Sequence, residues 1–237
     1  MSVPVPAPVQ PRKGVAVPAA IGVVVAAMVA VFAVVGLVVS LTSDRLPTGP
    51  ALAPPAPAEP EVSYDSLVRR ARFANVSVSM PATPYECPSS PGSAPPILAS
   101  GLICSAPVHE DYAGTDDWSA TAGFGSVPDT LTRPTAAETA RAVFDRLQMA
   151  AFPQEKTTIT DRKTEEATLN GQQVPVLSGN VHYSVAGVPS RYDRMVVVAL
   201  PVDGGGFAVY FSSRPNDTAP STLDVLNSSI GSLRFDQ

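Results

Sequence analysis

The sequence predicts an α+β fold, in which an antiparallel sheet is covered by two main helices, for the chain after residue 60. Segments with alternating apolar and polar residues dominate this part, and that alternation is typical of β-strands. Two segments have helical spacing instead, one beginning at Thr135 and the other near Ser221. Helices packed on an antiparallel sheet are the economical arrangement of such elements. A third observation, a long run without charge near the N-terminus, predicts that this domain follows a membrane anchor.

Residues 14–43 contain no charged side chain, and Arg12 and Lys13 directly precede them. A helix from Pro18 to Leu41 would be about 36 Å long at roughly 1.5 Å per residue, enough to cross a hydrocarbon core of about 30 Å. The two cations favour a cytoplasmic tail, residues 1–13, because positive residues are retained on that side. The predicted localisation is therefore the cytoplasmic membrane, with a single pass, the N-terminus inside and the C-terminal domain outside.

A cleaved signal peptide is the competing interpretation of this segment. Its apolar region is normally about 7 to 15 residues long and ends at a small-x-small site. The run here is longer, and the sequence Ala51-Leu-Ala53 lies beyond it and is followed by Pro54. A lipid anchor directly after the run is excluded, because Cys87 is the first cysteine. An uncleaved helical anchor is the favoured interpretation.

Residues 44–60 are predicted to be a Pro- and Ala-rich linker. Six prolines between residues 46 and 60 favour semi-rigid polyproline II, which reaches at most about 45 Å at roughly 3.1 Å per residue. Residues 61–237 are then long enough for one extracytoplasmic domain with its own core. This part has 13 Lys and Arg against 19 Asp and Glu, a formal net charge of −6. Nucleic acid is not a predicted partner, because phosphates repel such a surface.

Both cysteines lie in the predicted extracytoplasmic domain. A disulfide between Cys87 and Cys104 is predicted, because exported compartments are oxidising. A redox-active pair is disfavoured, since 16 residues separate the two and no C-x-x-C is present. Two buried thiols are the alternative. The segment from Pro88 to Leu102, rich in Pro, Ser and Gly, is predicted to be a surface loop.

The first elements of the domain are a short helical turn over Ser63–Arg72 and a strand over Phe73–Met80. The turn carries Arg69, Arg70 and Arg72, the one basic group in an acidic domain. One interpretation is a patch that faces acidic headgroups or an acidic partner. The favoured interpretation is a solvated helix face.

Two further strands and the best-defined helix follow. One strand is predicted over Leu102–Val108, and one face of the next is defined by Trp118, Ala120, Ala122 and Phe124. The helix begins at the capping box Thr135-x-x-Glu138. Apolar residues at helical spacing then continue it: Ala140, Val143, Phe144, Leu147 and Ala151.

The C-terminal half is predicted to consist of two hairpins and a helix. Asn170-Gly171 joins Thr157–Leu169 to Val174–Val185, and this dipeptide is a strong hairpin signal. Ser190–Val202 and Gly206–Ser213 form the second hairpin. In it, Val196, Val198 and Leu200 are predicted to oppose Phe207, Val209 and Phe211, as in a sheet with one covered face. The last helix, near Ser221, places Leu223, Leu226 and Ile230 inward, before a closing segment at Leu233–Phe235.

The densest polar cluster is the one candidate site that the sequence offers. It comprises His109, Glu110, Asp111, Asp116 and Asp117. Carboxylates with an imidazole can bind calcium or zinc, but the spacing matches neither a calcium loop nor a recurrent zinc pattern. A solvated loop between strands is the favoured interpretation, so no metal or cofactor is predicted. His182, alone in an alternating strand, is predicted to point outward.

No catalytic motif is found. No G-x-S-x-G is present, and Gly204–Gly206 joins two strands, whereas a phosphate-binding loop leads into a helix. The prediction is therefore a non-enzymatic protein without catalytic residues. An envelope hydrolase that uses an unrecognised acid pair, or a serine with His109 or His182, is the alternative.

The order of elements and several phrases resemble the PsbP-like fold and, within it, the LpqN-like exported proteins of mycobacteria. The phrases are Phe73–Pro81, the helix Ala136–Leu147, the hairpin Arg191–Ala199 to Phe207–Phe211, and the close Leu226–Phe235. LpqN-like proteins carry a lipid anchor, whereas this chain has a predicted transmembrane anchor. Proteins of the wider fold are mostly non-enzymatic accessory or binding modules. Together with the predicted anchor and spacer, the single domain and the missing catalytic motifs, the resemblance favours a membrane-anchored binding or accessory module of the bacterial cell envelope, with an envelope protein, a lipid or a glycan as partner. A ligand-sensing domain is a variant of this expectation.

Overall fold

The computed structural model describes residues 61–94, 96–112, 117–153 and 156–236. The predicted anchor at 14–43, its flanking Arg12 and Lys13, the linker at 44–60 and Asp116 lie outside these residues. Within the described ranges, neither helix is long and apolar enough to cross a bilayer. The predicted α+β class is confirmed, since the described chain forms antiparallel sheets with two helices packed on them.

Two sheets contain all the strands of the described residues. The strands are β1 (Ser63–Asp65), β2 (Arg70–Phe73), β3 (Val76–Ser79), β4 (Gly92–Ala94), β5 (Leu98–His109), β6 (Trp118–Ser126), β7 (Thr158–Leu169), β8 (Gln172–His182), β9 (Tyr192–Pro201), β10 (Phe207–Pro215) and β11 (Arg234–Phe235). The helices are α1 (Ala136–Ala151) and α2 (Pro220–Gly231). The large sheet has the order β4-β5-β6-β10-β9-β8-β7, and the small sheet has the order β1-β2-β3-β11.

The central strands of the large sheet, β6, β10 and β9, are largely buried on both faces, whereas the edge strand β7 is mostly exposed, and this corrects the prediction of one covered face. On the α1 face, Val197 and Phe211 pack with Phe144 of α1. On the opposite face, called here the small-sheet face, Val198 and Tyr210 pack with β3 of the small sheet and with α2. The apolar run of β9, Met195 to Leu200, is typical of a strand covered on both sides.

The register of the second hairpin also differs from the prediction. Val198 pairs with Tyr210, and Leu200 pairs with Ala208. Because neighbouring residues across a ladder share a face, Phe207, Val209 and Phe211 belong to the α1 face instead. The turn Asp203-Gly-Gly-Gly206 accommodates this shift with three consecutive glycines at positive φ.

Local signals located most of the other elements correctly. Asn170 and Gly171 both have positive φ, 49° and 82°, as the turn between β7 and β8 requires. At the start of α1, the Thr135 hydroxyl oxygen accepts a bond from the Glu138 amide at 3.2 Å. The same hydroxyl donates to the Glu138 carboxylate at 2.9 Å. Thr135 is therefore confirmed as the N-cap of α1, with the Glu138 carboxylate bound to its hydroxyl instead of its backbone amide, and α2 begins within one residue of its predicted start.

Two local predictions are wrong, and the strand predicted over Phe73–Met80 is confirmed only over β3, because Phe73 ends β2 and Ala74 has a positive φ of 50°. The segment Ser63–Arg72 is a hairpin of β1 and β2, because the Asp65 carboxylate accepts the Leu67 amide at 3.0 Å and closes a turn. The predicted surface loop Pro88–Leu102 contains β4 and the start of β5. In both places, pairing with a neighbouring strand satisfies backbone groups that a free turn or loop would leave to water.

The predicted disulfide is present. Cys87 and Cys104 are joined with an S–S distance of 2.00 Å across a sequence separation of 17. The bond ties the segment between β3 and β4 to the centre of β5, where Cys104 is fully buried.

Candidate functional site

His109 lies at the end of β5, where the loops of three strands meet. Its Nε2 atom is 2.8 Å from the Ser190 hydroxyl and 3.1 Å from the Asp217 carboxylate. Ser190 precedes β9, and Asp217 follows β10. The Ser190 hydroxyl also donates directly to Asp217 at 2.5 Å. These three side chains, called here the loop-end cluster, join the ends of β5, β9 and β10.

The connectivity of the loop-end cluster differs from that of a Ser-His-Asp catalytic triad. In a triad, the serine and the carboxylate contact opposite nitrogens of the imidazole. Here both contact Nε2, and the serine proton is directed at Asp217 instead of His109. Ser190 is also only 2% exposed. In this conformation the cluster holds three loops together and does not present an activated nucleophile.

The other members of the predicted polar cluster do not converge on His109. The Asp117 carboxylate accepts the Asp111 amide at 3.1 Å, and Glu110 is exposed. Among the described residues, no three side chains of the metal-binding types come close enough to hold an ion. His182 lies on β8, 2.8 Å from the Thr160 hydroxyl, and is half-buried.

A buried polar network lies beside the loop-end cluster on the α1 face. Asp193, 4% exposed, accepts bonds from the Tyr183 hydroxyl at 2.6 Å and the Ser213 hydroxyl at 2.7 Å. The Trp118 indole donates to Tyr183 at 3.0 Å. Burial raises the pKa of Asp193, while the hydrogen bonds that it accepts act in the opposite direction. Burial, and then the charge of Asp193, raise the pKa of Tyr183.

The burial of the small-sheet face decreases along β9, from Leu200 toward Arg194. Val198 and Leu200 are fully buried beneath the small sheet, whereas Val196 and Arg194 are only half-buried. Arg214 of β10 is directly opposite Arg194 and is half-buried as well. This part of the face, called here the open face, thus carries two arginines on neighbouring strands.

Hydrogen bonds to β8 position one of the two arginines. Arg194 donates to the Asn180 side-chain oxygen at 3.3 Å and to the Ser178 hydroxyl at 3.1 Å. In the part of the chain that the structure describes, neither Arg194 nor Arg214 is paired with a carboxylate. The open face therefore has two positive charges that no described acid neutralises.

A buried tyrosine, Tyr85, lies within the influence of one of these charges, that of Arg214. Tyr85 is 2% exposed, and its hydroxyl has no hydrogen-bond partner among the described residues. Burial raises the pKa of Tyr85 to about 12, and the positive charge of Arg214 acts against that rise. The hydroxyl is thus a buried donor without an acceptor, and its pKa is influenced by the charge of the Arg214 guanidinium.

The open face was missed in the sequence, although a signal for it exists. Arg194 is two residues before Val196, and Arg214 is two residues after Ser212, so each continues the alternation of a core-facing strand position. When both strands of one hairpin carry a charged residue on the side that faces the core elsewhere, the core no longer covers that part of the face. Recognising it requires the register of β9 with β10.

The three arginines near the start of the domain do not form one patch. Arg69 turns inward, where it donates to the Tyr85 carbonyl at 3.1 Å and lies 3.0 Å from Cys87 Sγ. Arg70 and Arg72 are on β2. The predicted helix face is wrong, because these residues belong to a hairpin.

An apolar cleft of about 370 Å³ lies between the end of β3 and α2. Met80, Pro81 and Val225 line it, with Asp224 among its polar residues. It is separate from both the loop-end cluster and the open face.

No protein-family model matches the chain, and no curated protein sequence matches it. Among solved structures, the solution structure of cyanobacterial PsbP (CyanoP) from Synechocystis sp. PCC 6803 is similar to this chain. The two are 13% identical, the match covers 80% of this chain and 99% of CyanoP, and the TM-score is 0.42. At that TM-score and identity, the similarity assigns neither a family nor a function to the chain.

Proposed function

We propose that this protein is a single-pass, membrane-anchored binding or accessory module of the bacterial cell envelope. Residues 14–43 would be the anchor, residues 44–60 a spacer, and residues 61–237 the extracytoplasmic domain. The proposed role is non-enzymatic, and the partner is an envelope protein, a lipid or a glycan. The relationship to the PsbP-like fold and the LpqN-like proteins is part of this proposal and rests on the phrases quoted from the sequence.

The disulfide between Cys87 and Cys104 is the observation that carries the proposal. Disulfides form and persist in oxidising compartments and are rare where thiols are kept reduced. This bond joins the two cysteines of the chain, both of which come after the predicted anchor. The disulfide and the cations before residue 14 therefore support the same orientation.

Crosslinking in intact cells tests the binding role. The full-length chain is compared with an anchor-only control that consists of residues 1–60, both treated with a crosslinker that does not cross membranes. We expect the full-length chain to capture a partner that the control does not. If it captures nothing above the control, the proposed binding role is wrong.

A hydrolase is the second candidate, because His109 is within hydrogen-bond reach of Ser190 and Asp217. It requires the Asp217 contact to rearrange, so that the serine proton is directed at the imidazole. Ester hydrolysis by the wild type that is lost in Ser190→Ala and kept in Ser213→Ala would favour this candidate over the first. A ligand-sensing domain is a variant of the first proposal, with the cleft beside α2 as its candidate pocket.

A further inference from the structure

Arg194 and Arg214 are neighbours in a way that costs stability unless something compensates. They are directly opposite in the antiparallel pair of β9 and β10. Like charges in that position repel and destabilise a sheet. Three other arginines of the described chain are neutralised by an acid, unlike these two. Arg72, Arg162 and Arg234 each have a carboxylate oxygen within 3.4 Å. The open face thus concentrates positive charge in a domain whose net charge is negative.

The donors of these arginines are only partly used. A guanidinium has five N–H donors in a planar fork, which matches the oxygens of an oxyanion. The side chains of Asn180 and Ser178 accept one bond each from Arg194, and these bonds orient the fork. The remaining donors of Arg194 and those of Arg214 are available to a ligand, because both side chains are half-buried rather than covered.

The Tyr85 hydroxyl is an independent sign of a missing acceptor. A buried polar group without a partner is unfavourable, and most such groups in native proteins find one. The Tyr85 side chain is 2% exposed and its hydroxyl has no partner within the described ranges. An anion held by Arg214 would bring acceptor oxygens toward this donor.

We propose that Arg194, Arg214 and Tyr85 form a binding site for a phosphate group on the open face. Two guanidinium charges match the two negative charges of a phosphate monoester or of inorganic phosphate, whereas a carboxylate would neutralise only one. Arginine pairs bind phosphate through charge-assisted and often bidentate hydrogen bonds. The proposal rests on the proposed binding role and deepens it, since it gives the partner a phosphate group.

The test is calorimetric titration of the full-length chain, in an uncharged detergent, with inorganic phosphate. We expect saturable binding that Arg194→Gln and Arg214→Gln each weaken by about tenfold or more, because each removes charge-assisted bonds. Tyr85→Phe should weaken binding by a smaller factor, about threefold to tenfold. Arg162→Gln is the matched control: it removes an arginine that is paired with Asp145, and it should leave phosphate binding unchanged.

Two additions keep the test decisive if a glutamine variant folds poorly. Arg194→Lys and Arg214→Lys keep the charge but lose the planar fork, so each should fold and still weaken binding measurably. Sodium acetate should bind much more weakly than phosphate. Equal binding of acetate, or phosphate binding by Arg214→Gln and Arg214→Lys equal to that of the wild type, would overturn the proposal.

Further titrations distinguish the source of the phosphate. Glucose 1-phosphate represents a phosphorylated glycan, and phosphatidic acid mixed into micelles of the uncharged detergent represents a lipid headgroup. Tighter binding of either, lost in Arg214→Gln, supports the site and names its source. Failure of the phosphate site can be distinguished from failure of the proposed binding role. If a partner is captured in cells but phosphate does not bind, the site is wrong and the binding role is retained.

Discussion

Opening the disulfide between Cys87 and Cys104 should lower the stability of the domain by a predictable amount. The bond closes a loop with a sequence separation of 17. On the chain-entropy model, a crosslink over such a loop contributes about 3 kcal/mol by restricting the unfolded chain. For a domain of this size, that corresponds to a fall of roughly 6 to 12 °C in the melting temperature.

The variant for this test is Cys87→Ser combined with Cys104→Ala. Serine suits position 87, where its hydroxyl can accept from Arg69, whose Nη2 lies 3.0 Å from the sulfur. Alanine suits position 104, because that side chain is fully buried and a hydroxyl there would lack a partner. Urea unfolding should give a free energy lower by about 3 kcal/mol from the lost crosslink, with up to about 1 kcal/mol more from the small cavity.

Reduction of the wild-type protein is the control for this variant. It opens the crosslink but keeps both sulfur atoms, so it should reproduce the 3 kcal/mol and not the cavity cost. The variant itself should not respond to the reductant. A wild-type free energy of unfolding that changes by less than about 1 kcal/mol on reduction would refute the argument from loop closure.

Three further predictions concern the core, the helix start and a buried acid. Gly123→Ala should lower the free energy of unfolding by about 1–3 kcal/mol, because the new Cβ would overlap the buried Phe211 ring. Gly92→Ala is the control, since a Cβ there meets nothing within 4 Å. Urea unfolding of both variants checks this, and equal losses of stability would contradict it. Thr135→Ala should cost about 1 kcal/mol through loss of the cap at α1, again measured by urea unfolding, and an unchanged midpoint would count against that role. The raised pKa of Asp193 means that its protonated form is favoured in the fold, so its contribution is fully present below the ordinary value of 3.8 and is lost as pH rises through the folded pKa. As the pH rises from 3.8 to the folded pKa of Asp193, the free energy of unfolding of the wild type should therefore fall relative to that of Asp193→Asn. Urea unfolding at a series of pH values checks this, and a difference that stays constant with pH would contradict the raised pKa.

Features encoded in a few consecutive residues were predictable. The turn at Asn170-Gly171 needs positive φ at two successive positions, and these residue types adopt it readily. The hairpin was therefore predictable from this dipeptide. The start of α1 followed from Thr135 and Glu138, because a capping box is complete within four residues. The cysteine pairing followed from the predicted compartment and needed no geometry.

The contacts that define the candidate sites join residues far apart in sequence. His109 and Ser190 are 81 positions apart, and Ser190 and Asp217 are 27 apart. Which of them meet depends on strand register, and a shift of one residue exchanges the faces of a strand. The open face was missed for the same reason, because Arg194 and Arg214 become neighbours only when β9 pairs with β10 in the observed register. The local alternation alone also did not reveal that the central strands of the large sheet are covered on both faces.

Protease accessibility in spheroplasts tests the central claim, a tethered domain outside the cytoplasmic membrane, most directly. The full-length chain is followed with an epitope tag after Gln237, and a protease that cannot cross the membrane is added before and after lysis. We expect the chain to sediment with membranes and the tag to be removed before lysis, while a cytoplasmic control protein survives. Protection of the tag until lysis, or recovery of the intact chain in the soluble fraction, would contradict it.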